Sequence, residues 1–109
     1  MPAEYSFFSD LVDELPEIPG DSIISRTIFS NDQVKVVLFG FAPNQELSEH
    51  TASMPAILYF VTGEARLTLG TDSMEAQAGT LVHMPPNLSH SILAKTPTTM
   101  LLLLLRSTD

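Results

Sequence analysis

The sequence predicts an all-β domain in which two sheets pack face to face as a sandwich or a barrel. Three observations carry this expectation. Turn-forming residues punctuate the chain about every 8 to 12 positions from Ile23 onward, at Asn31-Asp32, Pro43-Asn44, Thr62-Gly63, Gly70-Thr71-Asp72, Gly79, Pro85-Pro86-Asn87 and Thr96-Pro97. The stretches between them are apolar and β-branched, and several alternate at period two. With 109 residues, 44% of them hydrophobic, the chain suffices for one core but not comfortably for two, so about eight or nine short strands must bury one sheet face against another.

Two divisions follow, an N-terminal segment over residues 1–22 and a barrel over 23–109. In the first, Phe8, Leu11, Val12 and Leu15 fall at helical spacing behind Ser6 as a cap, which predicts a short amphipathic helix from Ser6 to Leu15. Pro16, Pro19 and Gly20 then end it. Its acidic residues Asp10, Asp13, Glu14 and Glu17 read as a solvated face. In the barrel, Glu64 to Leu69 and Met74 to Ala78 alternate polar with apolar, as half-buried antiparallel strands do. Val34 to Ala42 and Ala56 to Val61 are more continuously apolar. Met100 to Leu105 does not alternate at all, so it reads as a strand covered on both faces, with a subunit interface as one source of the second cover.

Composition narrows the function classes. Five Lys plus Arg stand against 13 Asp plus Glu, and a net charge of −8 disfavours nucleic acid and anionic membranes as partners. The chain has no cysteine, which removes disulfides, thiolate zinc sites and thiol nucleophiles and suits a cytoplasmic protein. Its longest apolar run falls far short of the roughly 20 residues of a spanning helix, and no export signal opens the chain. There is also no Gly-x-Ser-x-Gly elbow, His-Glu-x-x-His pair or phosphate-binding glycine loop.

The residues with chemical potential cluster in "PNQELSEHTASMPAILYFVTG" and "GTLVHMPPNLSHSILA". Asn44, His50, Ala52, Ala56 and Gly63 fall at the register Gly, five residues, His-x-His, three or four residues, Glu, six residues, Gly. Gly79, Pro85, Asn87, His90 and Ala94 fall at Gly, five residues, Pro-x-Gly, two residues, His, three residues, Asn. These are the two motifs of the cupin family, and the chain resembles a small single-domain, RmlC-like cupin from about Ile23 to Arg106. The resemblance implies a double-stranded β-helix, or jelly-roll, barrel that often pairs into a homodimer. Asn at positions 44 and 87 is a coherent replacement for Gly, because a turn that needs positive φ accepts Asn next best.

The site departs from the family. Where the resemblance implies three histidines and a glutamate around iron, manganese, nickel or zinc, only His50 and His90 remain, and Ala52 and Ala56 stand where the other two ligands would be. Alanine has no lone pair to give, and two imidazoles alone hold a divalent metal weakly. His83 ranks first as a substitute third ligand and Gln45 second, since Glu49 should point away from His50. Met54 and Met84 read as core packing, and Pro55 as a residue shaping the start of its strand. Removing a His and a Glu leaves a roomier, more apolar mouth lined by Ala52 and Ala56.

Three functional expectations follow. The first is a small-molecule-binding cupin with His50 and His90 as hydrogen-bonding anchors and without the complete metal site. The second is a metal-dependent oxygenase or isomerase using His50, His90 and His83. The third is a metal-free sugar isomerase or epimerase with a histidine base and Tyr59 as candidate acid.

Overall fold

The computed structural model describes residues 5–106. Among these residues, nine antiparallel strands form two sheets: β1 (Ile23–Ser30), β2 (Val34–Phe41), β3 (Glu46–His50), β4 (Ala56–Thr62), β5 (Glu64–Leu69), β6 (Asp72–Gln77), β7 (Leu81–Met84), β8 (His90–Ala94) and β9 (Thr98–Leu105). The first sheet has the order β1-β2-β9-β4-β7 and the second β3-β8-β5-β6. The alternating stretch Glu64 to Leu69 is β5 itself, and the turn residues between strands fall where the punctuation predicts them.

The core lies between the sheets. Phe41, Ala56, Leu58, Phe60, Met84 and Met100 project from the first sheet onto Ala65, Leu67, Ala76, Ile92 and Ala94 of the second. Each large apolar side chain so buried contributes about 1.5 to 3 kcal/mol relative to exposure. Period two then fixes what the other faces carry. The second sheet turns Arg66, Glu75 and Lys95 outward, where Glu75 accepts from both cations. Lys95 first and Arg66 after it hold the Glu75 carboxyl below the usual carboxylate range.

The first sheet's outer face is apolar, and the N-terminal segment covers part of it. Ile18 lies over Gly40 so closely that a Cβ there would stand 2.8 Å from it. Arg26 of β1 pairs with the Glu14 carboxylate at 3.0 Å and donates to its carbonyl. Leu38, on this outer face, is fully buried. Next to it an apolar cavity of about 360 Å³ opens among Phe8, Leu11, Ile28, Phe29, Leu101 and Leu103.

This packing corrects one expectation and divides another. Instead of a helix from Ser6 to Leu15 there is one 3-10 turn, Leu11–Glu14, capped by the Asp10 side chain on the Val12 N–H at 3.1 Å. A helix that short is costly to nucleate, and Pro16 blocks its extension, whereas a single turn already places Leu11 on the sheet. For Met100 to Leu105, two covers exist: Met100, Leu102 and Leu104 face the barrel core, while Leu101 and Leu103 meet the chain's own N-terminal segment. No helix among the described residues is long and apolar enough to cross a membrane.

Candidate functional site

Two turns bring the site together. Asn44 and Asn87 both adopt the left-handed conformation, with φ 68° and 67°, which Asn tolerates better than other residues with a Cβ. Each turn is fastened to the other sequence segment by main-chain hydrogen bonds. The Asn44 N–H donates to the Ala94 carbonyl at 2.8 Å, the Ala94 N–H to the Gln45 carbonyl at 3.0 Å, and the Asn87 N–H to the Ala52 carbonyl at 2.7 Å. The two motif segments therefore close on each other at one end of the barrel.

His50 and His90 meet there as a cross-strand pair of β3 and β8. A bulge between Leu47 and His50 makes this possible. Leu47 packs on the core, so strict alternation would send His50, three residues on, to the opposite face; the extra residue turns it back to the face of His90. The ring centroids are 4.1 Å apart and the rings are tilted by 59°. His90 is 6% exposed, backed by Leu69 on β5, whereas His50 is exposed to solvent.

Both rings are oriented by the same device. Nδ1 of His50 lies 2.9 Å from the Ser48 carbonyl, and Nδ1 of His90 lies 3.0 Å from the Leu88 carbonyl. A carbonyl only accepts, so in both rings Nδ1 is the donor and the neutral ring keeps its lone pair on Nε2. Among the described residues, neither imidazole lies within ion-pair distance of a carboxylate. Residue types alone do not point to the Ser48 and Leu88 carbonyls.

The remaining candidates are placed as follows. Ala56 is buried on the inner face of β4 opposite Met84, which packs in the core. Ala52 is half-buried between β3 and β4, with its carbonyl engaged by Asn87. Met54 is half-buried in the same loop. Gln45 is half-buried at the turn before β3, its main chain tied to Ala94. His83 is not brought to the pair: it pairs with Ile57 between core-facing Val82 and Met84, so its side chain stands on the outer face of the first sheet. Tyr59, paired with Leu81 and Leu101, is on that outer face too, away from the histidines.

The donor set therefore does not fit the four-ligand metal centre that the resemblance implies. Two imidazoles converge, alanines occupy the other two motif positions, and no group of three His, Cys, Asp or Glu side chains among the described residues is placed to hold an ion.

Comparisons with known proteins agree with this architecture. The structure is similar to a cupin superfamily protein from Desulfitobacterium hafniense, with a TM-score of 0.84, 22% identity and coverage of 98% of this chain and 95% of that one. A conserved protein of unknown function from Streptococcus pyogenes matches with a TM-score of 0.84 and 23% identity over 98% of this chain and 93% of that one. An RmlC-like cupin from Shewanella frigidimarina matches with a TM-score of 0.78 and 18% identity over 99% and 95%. A search of curated proteins gave no match. The family model for the cupin domain matches residues 37–105, the span that holds both histidine turns and eight of the nine strands in whole or part, and the chain belongs to the cupin family.

Proposed function

We propose that this cupin binds a small molecule at the barrel mouth, anchored on His50 and His90. The observation that carries the reading is the paired orientation of the rings, each with Nδ1 held by its own backbone and Nε2 left bare, 4.1 Å apart by centroid. Alanine at positions 52 and 56 brings none of the bulk or charge of the His and Glu that the family pattern places there, and a concave, mostly apolar site with a few fixed polar groups is what small-molecule recognition needs. Both enzymatic alternatives require a further group: a third ligand in place of His83, or an acid in place of Tyr59, and both side chains stand on the far side of the first sheet.

The test is metal content by elemental mass spectrometry after incubation with excess iron, manganese, nickel or zinc and desalting. We expect retention below about a tenth of an equivalent of each, together with thermal stabilisation by members of a small-molecule library. Near one equivalent of a single metal, lost in His50→Ala, would establish the metal-enzyme reading instead.

We further propose that two copies pair through the uncovered half of the first sheet's outer face. Ile57, Tyr59, Leu81 and His83 lie there, with Leu81 64% and Tyr59 36% exposed. None of these is a carboxylate, although the chain carries 13 acidic residues and a net charge of −8, and a carboxylate-free face is where two such chains repel least. Light scattering should give a dimer, converted to monomer by Leu81→Glu. A wild-type monomer at all accessible concentrations would rule the interface out.

A further inference from the structure

We infer that the ligand of the barrel mouth is a hydrogen-bond donor, a neutral hydroxylated molecule rather than a carboxylate or phosphate; this rests on the small-molecule reading and specifies its chemistry. The backbone writes the polarity of the site. Because the Ser48 and Leu88 carbonyls can only accept, they hold the proton of each neutral imidazole on Nδ1. Both Nε2 atoms are then acceptors, and they belong to rings whose centroids are 4.1 Å apart. Anionic oxygens are acceptors as well. Seated against two neutral rings they would oppose two lone pairs with no proton between, and would lose their water in doing so. A hydroxyl group supplies the missing proton.

Charge works in the same direction. The chain is net −8, so its field repels anions. Arg66 and Lys95 are paired with Glu75 on the outer face of the second sheet, and Arg26 is paired with Glu14. Arg106 donates to the Ser30 hydroxyl beyond the end of β9. Lys35 shares the β9 and β4 row of Leu104 and Ala56, but two strands away from Ala56, roughly 10 Å by strand spacing.

The experiment reads the ring nitrogens directly, by long-range proton–nitrogen correlation on histidine-labelled protein at pH about 8.5, above the ordinary imidazole range. His50 and His90 should both show a protonated Nδ1 and a bare Nε2, with His83 assigned by His83→Gln. Matched probes follow: benzyl alcohol against benzoate, hexanol against hexanoate, glycerol against glycerate. In at least one pair the alcohol should move both Nε2 signals at about tenfold lower concentration than its carboxylate. The response should vanish in His90→Asn, whose amide keeps a donor for the Leu88 carbonyl while removing Nε2.

A bare Nδ1 in either ring overturns the inference whatever binds. Carboxylates that bind as well as the alcohols overturn it too, yet leave the small-molecule reading standing. If no member of any pair moves either ring, both fall together.

Discussion

The two histidine segments, Asn44 to Gly63 and Gly79 to Ala94, are built alike in their backbones and differ in what their side chains do. Each opens its turn with a left-handed Asn and points an imidazole inward with Nδ1 on the carbonyl two residues back. In the second segment the histidine is buried against Leu69; in the first it follows a bulge and stays exposed, and alanines replace the other two ligand positions of the family pattern. The barrel's geometry thus survives the loss of the metal ligands. What the fold requires of these segments is turn conformation and main-chain pairing, and the Ala52 carbonyl supplies its part of that pairing as well as a histidine's would.

The two glycines that bound the gap between the segments sharpen this contrast most. Gly63 and Gly79 both have positive φ, 90° and 95°. A Cβ on Gly63 would stand 2.3 Å from the Pro97 carbonyl oxygen and 2.7 Å from the Thr98 Cα, whereas a Cβ on Gly79 meets nothing within 4 Å. Gly63→Ala should therefore cost about 4 kcal/mol or more, since backbone cannot step aside cheaply. Gly79→Ala should cost only its conformational strain, about 1 to 2 kcal/mol. Urea unfolding of the two variants checks this, and equal losses would mean that the close approach at Pro97 relaxes.

The strands and turns were legible because each rests on local chemistry. Period two in Glu64 to Leu69 leaves one register that buries Ala65 and Leu67, and Asn44 and Asn87 stand where a left-handed residue is needed. The inward direction of His50 was not legible by parity, because it depends on one extra residue between Leu47 and His50 that nothing in "ELSEH" marks. The facing of His83 was half legible: alternation sets it against Val82 and Met84, but which side holds the core is decided by strands far away in sequence. Helical spacing in Phe8, Leu11, Val12 and Leu15 misled for a related reason. Those residues need only reach an apolar sheet, and an extended chain with one 3-10 turn reaches it too.

The histidines provide a milder break of the same comparison. His90→Ala removes a buried ring and leaves the Leu88 carbonyl without its donor, which should cost about 2 kcal/mol. His50→Ala, at an exposed position, should stay within about 0.5 kcal/mol. Thermal or urea unfolding at neutral pH separates them. A large loss from His50→Ala would show that the first segment depends on its side chain and not on its backbone alone.

The smallest effect lies away from both segments and tests whether the second sheet's polar face matters to the fold. Glu75 is held below the usual carboxylate range by Lys95 first, just past the end of β8, and by Arg66 after it, opposite on the neighbouring strand β5. A lowered folded-state value means that the unfolded chain binds the proton more readily. The stabilisation is therefore present above the ordinary carboxylate range and is lost as pH falls through the lowered value. Glu75→Gln should unfold slightly more easily than the parent at neutral pH, and the two should converge on acidification. Because all three side chains are solvent-exposed, screening should close the same gap in concentrated salt at neutral pH. A difference that persisted in salt would point to hydrogen-bond geometry, not charge, as what Glu75 contributes.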